Sequence, residues 1–140
     1  MSSSFMSLPF WIPRGLGVVD GIARVCESEL VLEFDVKESM FRIGTREVVL
    51  PFEEIESVAF KRRGLLRNAL LFSARRLHPA SSVPGSRAGQ FALYITRENK
   101  NKAREVESLL AYGLARRDLS SMRDSLAPSR RNLRTPEDIT

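Results

Sequence analysis

Apolar and polar side chains alternate with a period of two along most of this chain, and the period lengthens to that of a helix only near its end. Leu30, Leu32, Phe34 and Val36 fall on one face of an extended segment, while Val31, Glu33 and Asp35 take the other. That is how a strand with one buried face reads. The same alternation predicts strands over 18–26, 30–36, 41–43, 48–52, 57–61, 70–74 and 91–95. Polar turns separate them at 27–29 and 37–39, and Gly44-Thr45-Arg46 predicts a hairpin turn. Pro51 places its strand at an edge or faces outward, since proline donates no ladder hydrogen bond. Gly21 marks a bulge or a close backbone contact within the first strand. Glu53-Glu54-Ile55 predicts a brief helical turn, and a loop is expected from Arg62 through Asn68. The stretch 78–89, rich in proline, glycine and serine, predicts a long loop with a turn at Val83-Pro84-Gly85.

From about 98 to 117 the spacing changes. Ala103, Val106, Leu110, Gly113 and Leu114 recur at helical intervals, with Leu109 beside them. Asn99 is the expected N-cap, Glu98 precedes Lys102 by four residues, and Arg116 and Arg117 suit the negative end of the helix dipole. Gly113 costs about 1 kcal/mol of helix propensity relative to alanine, which points to close approach to a sheet. The fold class that follows is mainly β with one C-terminal α-helix: a seven-stranded antiparallel barrel or sandwich, partly open and capped by the helix. The expected organisation is an apolar arm over 1–14, the β domain with its helix over 15–117, and a flexible or partly helical tail over 118–140, with a short helix at 118–126.

Composition sharpens this picture in two ways. With 140 residues, 43% hydrophobic and 28% charged, the chain has the makeup of one globular unit plus tails. Its one cysteine, Cys26, allows no internal disulfide and no cysteine-based zinc cage, which suits a cytoplasmic setting. No apolar run approaches the ~20 residues of a membrane-spanning helix. The start of the chain holds Phe5, Met6, Leu8, Phe10, Trp11 and Ile12, but Pro9 and Pro13 interrupt it and no basic region leads it. This argues against a signal peptide. The arm either packs Phe10 and Trp11 onto the domain or serves as an interfacial anchor or docking peptide. The net charge of +5 is unevenly spread: residues 15–60 hold 4 basic and 10 acidic side chains, −6, and residues 61–117 hold 13 basic and 3 acidic, +10. Such an asymmetry orients a partner, or another copy of the chain.

The strongest surface candidate is basic: Lys61, Arg62, Arg63, Arg67, Arg75 and Arg76, with Trp11 as an apolar companion. A hairpin of the fifth and sixth strands is expected to gather these charges, next to Leu65 and Leu66. Cations beside aliphatics suit an anionic membrane surface or a protein; the ordinary reading is a solvated loop. Nucleic acid is disfavoured as a partner because helix-turn-helix spacing, RNA-recognition motifs and zinc-ligand pairs are all missing, and Phe91 and Tyr94 fall on opposite faces of one strand. His78 stands alone before Pro79 and reads as an exposed loop residue; Cys26 reads as a small buried side chain. Glu53, Glu54 and Glu56 lack the oxygen spacing of a calcium loop, and Gly15-Leu16-Gly17 precedes a strand and so forms no phosphate cradle. These residues suggest no catalytic site, no metal, no cofactor and no small-molecule ligand.

Three segments carry a family resemblance: Glu29-Leu30-Val31-Leu32-Glu33-Phe34, the run from Glu47 through Leu50-Pro51-Phe52-Glu53-Glu54-Ile55 to Val58, and Val83-Pro84-Gly85 leading into Phe91-Ala92-Leu93-Tyr94-Ile95. Over roughly 16–116 the chain resembles the bacterial pleckstrin-homology-like (PH-like) domains. The resemblance implies two antiparallel sheets in a partly open barrel, with the final helix plugging one end. Relatives that bind phosphoinositides carry basic residues around the loop between their first two strands. At the matching place this sequence reads Glu27-Ser28-Glu29, which is acidic and short, so headgroup binding does not carry over. The resemblance implies a non-catalytic module that binds a protein partner or another copy of itself, with peripheral binding to anionic membranes through 61–67 as the alternative.

Overall fold

The computed structural model describes residues 4–39, 42–63 and 67–138. Seven strands, β1 (Ser4–Arg14), β2 (Gly17–Cys26), β3 (Glu29–Ser39), β4 (Arg42–Pro51), β5 (Ile55–Arg63), β6 (Arg67–Ala74) and β7 (Gln90–Ile95), precede helix α1 (Lys100–Asp138). Every strand pairing is antiparallel, in the order β4-β3-β2-β1-β7-β6-β5. The end strands β4 and β5 do not pair with each other, so the sheet is not closed into a barrel. β1 and β7 meet at one rung, Trp11 opposite Tyr94, which divides the sheet into a four-stranded and a three-stranded part.

The strand total matches the sequence-based expectation, but several boundaries differ, and 37–39, expected as a turn, lies within β3. The apolar arm is β1, paired with β2 from Ser4 to Arg14 and central in the sheet. Leu8, Phe10 and Ile12 point into the core, and Ser7, Pro9 and Pro13 are exposed on the other side, so this is a period-two segment despite its prolines. Another difference removes a turn. Ile43 of one expected strand and Val48 and Leu50 of the next belong to one strand, β4, while Phe41 lies outside the described residues; Gly44-Thr45-Arg46 lies inside β4, with Thr45 opposite Asp35 and Gly44 opposite Val36. The glycines at positive φ among the described residues are Gly15, Gly85 and Gly89; Gly44, an extended residue, makes no hairpin turn. Thr45 Oγ1 donates to Asp35 Oδ1 at 3.4 Å, and this cross-strand contact gives the polar tripeptide a partner within the ladder.

The β5–β6 hairpin is longer than expected. Arg62 pairs with Asn68 and Arg63 with Arg67, so the ladder runs through positions read as loop; Gly64, Leu65 and Leu66 lie outside the described residues. The long connection after β6 folds back on the core, where a 3-10 turn at Ala80–Ser82 leads into Val83 and both Ala80 and Val83 are buried. A tight turn then reverses the chain at Arg87 to Gln90, with Ala88 and Gly89 both at positive φ.

The inner face of the sheet buries Leu30, Leu32 and Phe34 of β3, Leu50 of β4, Leu70 and Phe72 of β6 and Leu93 of β7. The rings of Phe72 and Phe91 stack at 4.9 Å. Two glycines allow this density. A Cβ at Gly21 would sit 2.4 Å from both the Glu33 carbonyl oxygen and Phe10 Cζ, and one at Gly113 would sit 2.6 Å from Phe52 Cε2. The close contact read into Gly21 is therefore real, and Gly113 receives the ring of Phe52, in the 3-10 turn Phe52–Glu54, rather than the sheet itself.

Helix α1 places Ala103, Val106 and Leu110 in the core and packs Leu109 and Leu114 against it, as the sequence period indicates. Its ends differ from expectation. Asn99 is no N-cap: it closes a 3-10 turn at Arg97–Asn99, and its side-chain amide donates to Thr96 Oγ1 at 3.1 Å. The helix continues past Arg117 to Asp138 with no separate segment at 118–126, since extending a helix costs less than nucleating another. No helix among the described residues is long and apolar enough to cross a membrane.

Candidate interaction surface

Alternation along each strand sends most charged side chains to the outer face, and strand order gathers carboxylates on one part of the sheet, with Arg24 of β2 and Arg46 of β4 beside them. β2, β3 and β4, adjacent in one part of the sheet, present Asp20, Glu33, Asp35 and Glu47. Ile22 and Val49 lie exposed among them. Glu33 and Glu47 sit directly opposite each other across the β3–β4 ladder, a repulsive arrangement. Arg24 offsets it by ion-pairing with Glu33 and reaching Glu47 at 3.6 Å. The alternation places Glu33 correctly on the outer face, but register with β2 and β4 was needed to find this three-residue cluster.

The other part carries the opposite sign. Lys61 and Arg62 near the end of β5, Arg67 at the start of β6 and Arg87 before β7 are exposed. Lys61, Arg62 and Arg87 line a groove of about 820 Å³ together with Ser57, Ala59, Leu71 and Ala92. At the single β1–β7 rung, Trp11 and Tyr94 lie with ring centroids 4.9 Å apart. The Arg67 guanidinium stands 5.5 Å from the Trp11 ring and 5.9 Å from the Tyr94 ring. Cation–π attraction holds that arginine on a two-ring platform. Tyr94 is invisible to sequence reasoning in this role, because its ring partner lies 83 positions earlier in the chain.

The six basic candidates do not form one patch. Lys61, Arg62 and Arg67 occupy the turn end of the β5–β6 hairpin, with Arg63, whose side chain lies outside the described residues. Arg75 and Arg76 follow the far end of β6, about 26 Å away at strand rise. There they meet carboxylates: Arg75 with Asp118 at 3.3 Å and Arg76 with Glu54 at 3.6 Å. Arg117 reaches Glu53 at 3.2 Å, and Glu56 accepts a hydrogen bond from Ser73 Oγ at 3.2 Å. The acidic triplet thus ties α1 and the end of β6 to the turn after β4 and the start of β5. Arg117 serves a lateral contact rather than a helix end, and Arg116 lies 5.7 Å over the Tyr112 ring.

Other singled-out residues fall into place. The loop between the first two strands is Gly15-Leu16, with Gly15 at φ 60°, and Glu27-Ser28 joins β2 to β3. The comparison of Glu27-Ser28-Glu29 with a first loop is therefore displaced by one hairpin, because β1 went unread. His78 is exposed. Cys26 is buried at one wall of a cleft of about 580 Å³ that also touches Phe52, Leu109, Tyr112 and Gly113. Burial pushes its thiol above the ordinary value; the Glu29 carboxylate adds to this and Arg24 opposes it. No group of three or more His, Cys, Asp or Glu among the described residues is placed to hold a metal ion.

One contact on the helix went unread. Glu107 Oε2 accepts the Phe60 backbone N–H at 2.7 Å. Phe60 belongs to β5, an edge strand, so a helical carboxylate pairs a donor the sheet leaves free. Compared with family models, with curated proteins and with solved structures, the chain matches none.

Proposed function

We propose that this chain is a non-catalytic, cytoplasmic module of PH-like fold that binds a protein partner, another copy of itself included. The observation that carries the reading is the uneven placing of charge by strand order: Asp20, Glu33, Asp35 and Glu47 outnumber Arg24 and Arg46 on β2–β4, whereas Lys61, Arg62, Arg67 and Arg87 gather on and beside β5–β7, where Glu56 is the exposed carboxylate. Surfaces of opposite sign on one molecule favour head-to-tail contact between copies and steer a charged protein partner. The PH-like reading is supported by two antiparallel parts joined at one rung and by a helix packed over Phe52. Light scattering at low and at high salt tests the proposal. Association at low salt that dissolves at about 0.5 M salt is expected, since screening shortens the reach of exposed charges to a few ångströms. A strict monomer that captures no protein would count heavily against it.

A second reading is favoured by one feature, the Arg67–Trp11–Tyr94 stack beside Lys61 and Arg62. An aromatic pair next to cations fits the interface of an anionic membrane. Sedimentation with vesicles, with and without acidic lipid, separates the readings. Equal recovery in both supernatants removes the membrane.

A further inference from the structure

Leu70, Phe72, Phe91 and Leu93 point into the core, so alternation turns Leu71, Ser73 and Ala92 to the outer face of β6 and β7. Register sets Ala59 and Ala92 on either side of Leu71, and Ser57 opposite Ser73. These mostly small side chains line the groove of about 820 Å³, and all but the exposed Ser57 are half-buried. The charged residues lining it among the described residues are Lys61, Arg62 and Arg87, all cationic. Glu56, next to Ser57 in the chain, accepts the Ser73 hydroxyl at 3.2 Å. Among the described residues Lys61, Arg62 and Arg87 make no ion pair, whereas Arg24, Arg75, Arg76 and Arg117 each meet a carboxylate. Cations gathered without a counter-charge favour an anion supplied from outside the chain.

We infer that this groove takes an extended acidic segment of a protein partner, with a carboxylate towards each end and small uncharged side chains between. The inference deepens the protein-partner reading and rests on it. The spacing of the cations sets the occupant. Lys61 lies four residues along β5 from Ser57, ~13 Å at strand rise. Arg87 bridges to Gln90, in the row of Ser57 and Ser73, so the cations stand at the two ends of the groove. In an extended peptide, side chains four residues apart share one face and also lie ~13 Å apart. Ala59, Leu71 and Ala92 between the ends carry no charge and leave room for side chains of their own size. Because β6 is paired on both sides, the segment is read by side chains rather than by adding a strand across this face. A nucleic-acid strand fits less well: it would set phosphates over Leu71 and Ala92, and the Tyr94 ring is already engaged by Trp11 and Arg67. A bilayer meets projecting side chains, not small half-buried ones.

The test uses the full chain and a fluorescein-labelled, end-blocked peptide of sequence Glu-Ser-Ala-Ser-Glu, followed by fluorescence polarisation at low salt. Its counterpart with both glutamates replaced by glutamine is expected to bind about tenfold or more weakly, and so is the acidic peptide to Arg87→Glu or to Lys61→Glu with Arg62→Glu. Ala92→Leu fills the groove without altering charge and is expected to weaken binding as much, with circular dichroism unchanged; Ala59→Leu repeats the test should Ala92→Leu unfold. Peptide binding that survives both leucine variants in folded protein, or that is the same for the glutamine counterpart, overturns the inference. Displacement of the acidic peptide by oligothymidine or by phosphatidylserine vesicles at lower concentration than by unlabelled peptide also overturns it, in favour of nucleic acid or membrane. If no peptide binds while copies still associate in a salt-sensitive way, the groove assignment fails and the protein-binding proposal survives. If the peptide binds as expected while the chain stays monomeric at low salt, the groove assignment stands and contact between copies fails.

Discussion

Gly21 and Gly113 are both used for what they lack, yet their surroundings differ in rigidity. A methyl at Gly21 meets a backbone carbonyl and a buried ring at 2.4 Å, whereas at Gly113 the nearest atom is on the Phe52 ring at 2.6 Å. Gly113→Ala also gains up to ~1 kcal/mol of helix propensity, which offsets part of an overpacking cost of about 1–3 kcal/mol. Urea denaturation should therefore show Gly21→Ala losing clearly more stability than Gly113→Ala; the reverse order would refute the packing account. Cys26 gives a pH prediction. Burial raises its folded value, so the fold holds the thiol proton more tightly. The associated stability is whole below the unfolded thiol value, near 9.0, and is lost as pH rises through the higher folded value. Iodoacetamide at pH 8 should label the native thiol far more slowly than the urea-unfolded one. Equal rates would mean that the thiol is open to solvent.

The elements show where pattern reading works and where it stops. β3 was legible because its alternation is uninterrupted and its partners lie next to it in sequence. β1 was not, since Pro9 and Pro13 look like breakers; on the outward side of a strand they keep Leu8, Phe10 and Ile12 in phase. β4 was split because Gly44-Thr45-Arg46 has the composition of a turn, and only the ladder with Val36, Asp35 and Phe34 holds it extended. Glu107 lies on the half-buried flank of α1, and nothing in its helical spacing announces a strand edge as its partner. Removing that acceptor leaves the Phe60 N–H without one. Glu107→Ala should cost about 1 kcal/mol and speed hydrogen exchange at the Phe60 amide, with Glu107→Gln in between. Unchanged exchange in the alanine variant would refute the contact. Arg24→Ala should cost less, up to about 1 kcal/mol, because the carboxylates it bridges are partly or largely exposed; a double mutant with Glu47→Ala should recover part of that loss.

For the molecule as a whole, the charge asymmetry of −6 against +10 is plain in the sequence, but its consequence is not. Had the strands interleaved, the two signs would have cancelled over the surface. The order β4-β3-β2-β1-β7-β6-β5 keeps β2–β4 together and β5–β7 together, so part of the division along the chain becomes a division in space, while Glu53, Glu54 and Glu56 lie beside β5 and β6 and meet Arg117, Arg76 and Ser73 there. Converting Glu33 and Glu47 to lysine should therefore abolish salt-sensitive association; light scattering at low salt checks this.

Alternating side chains determine strands, and the shift to helical spacing determines α1, because each depends on residues a few positions apart. Which strand is central, which carboxylate meets which arginine, and how Trp11, Tyr94 and Arg67 come together depend on pairings between residues tens of positions apart. Those follow from burying every strand's apolar face in one core at once. Local pattern has no term for that condition, and the folded chain must satisfy it.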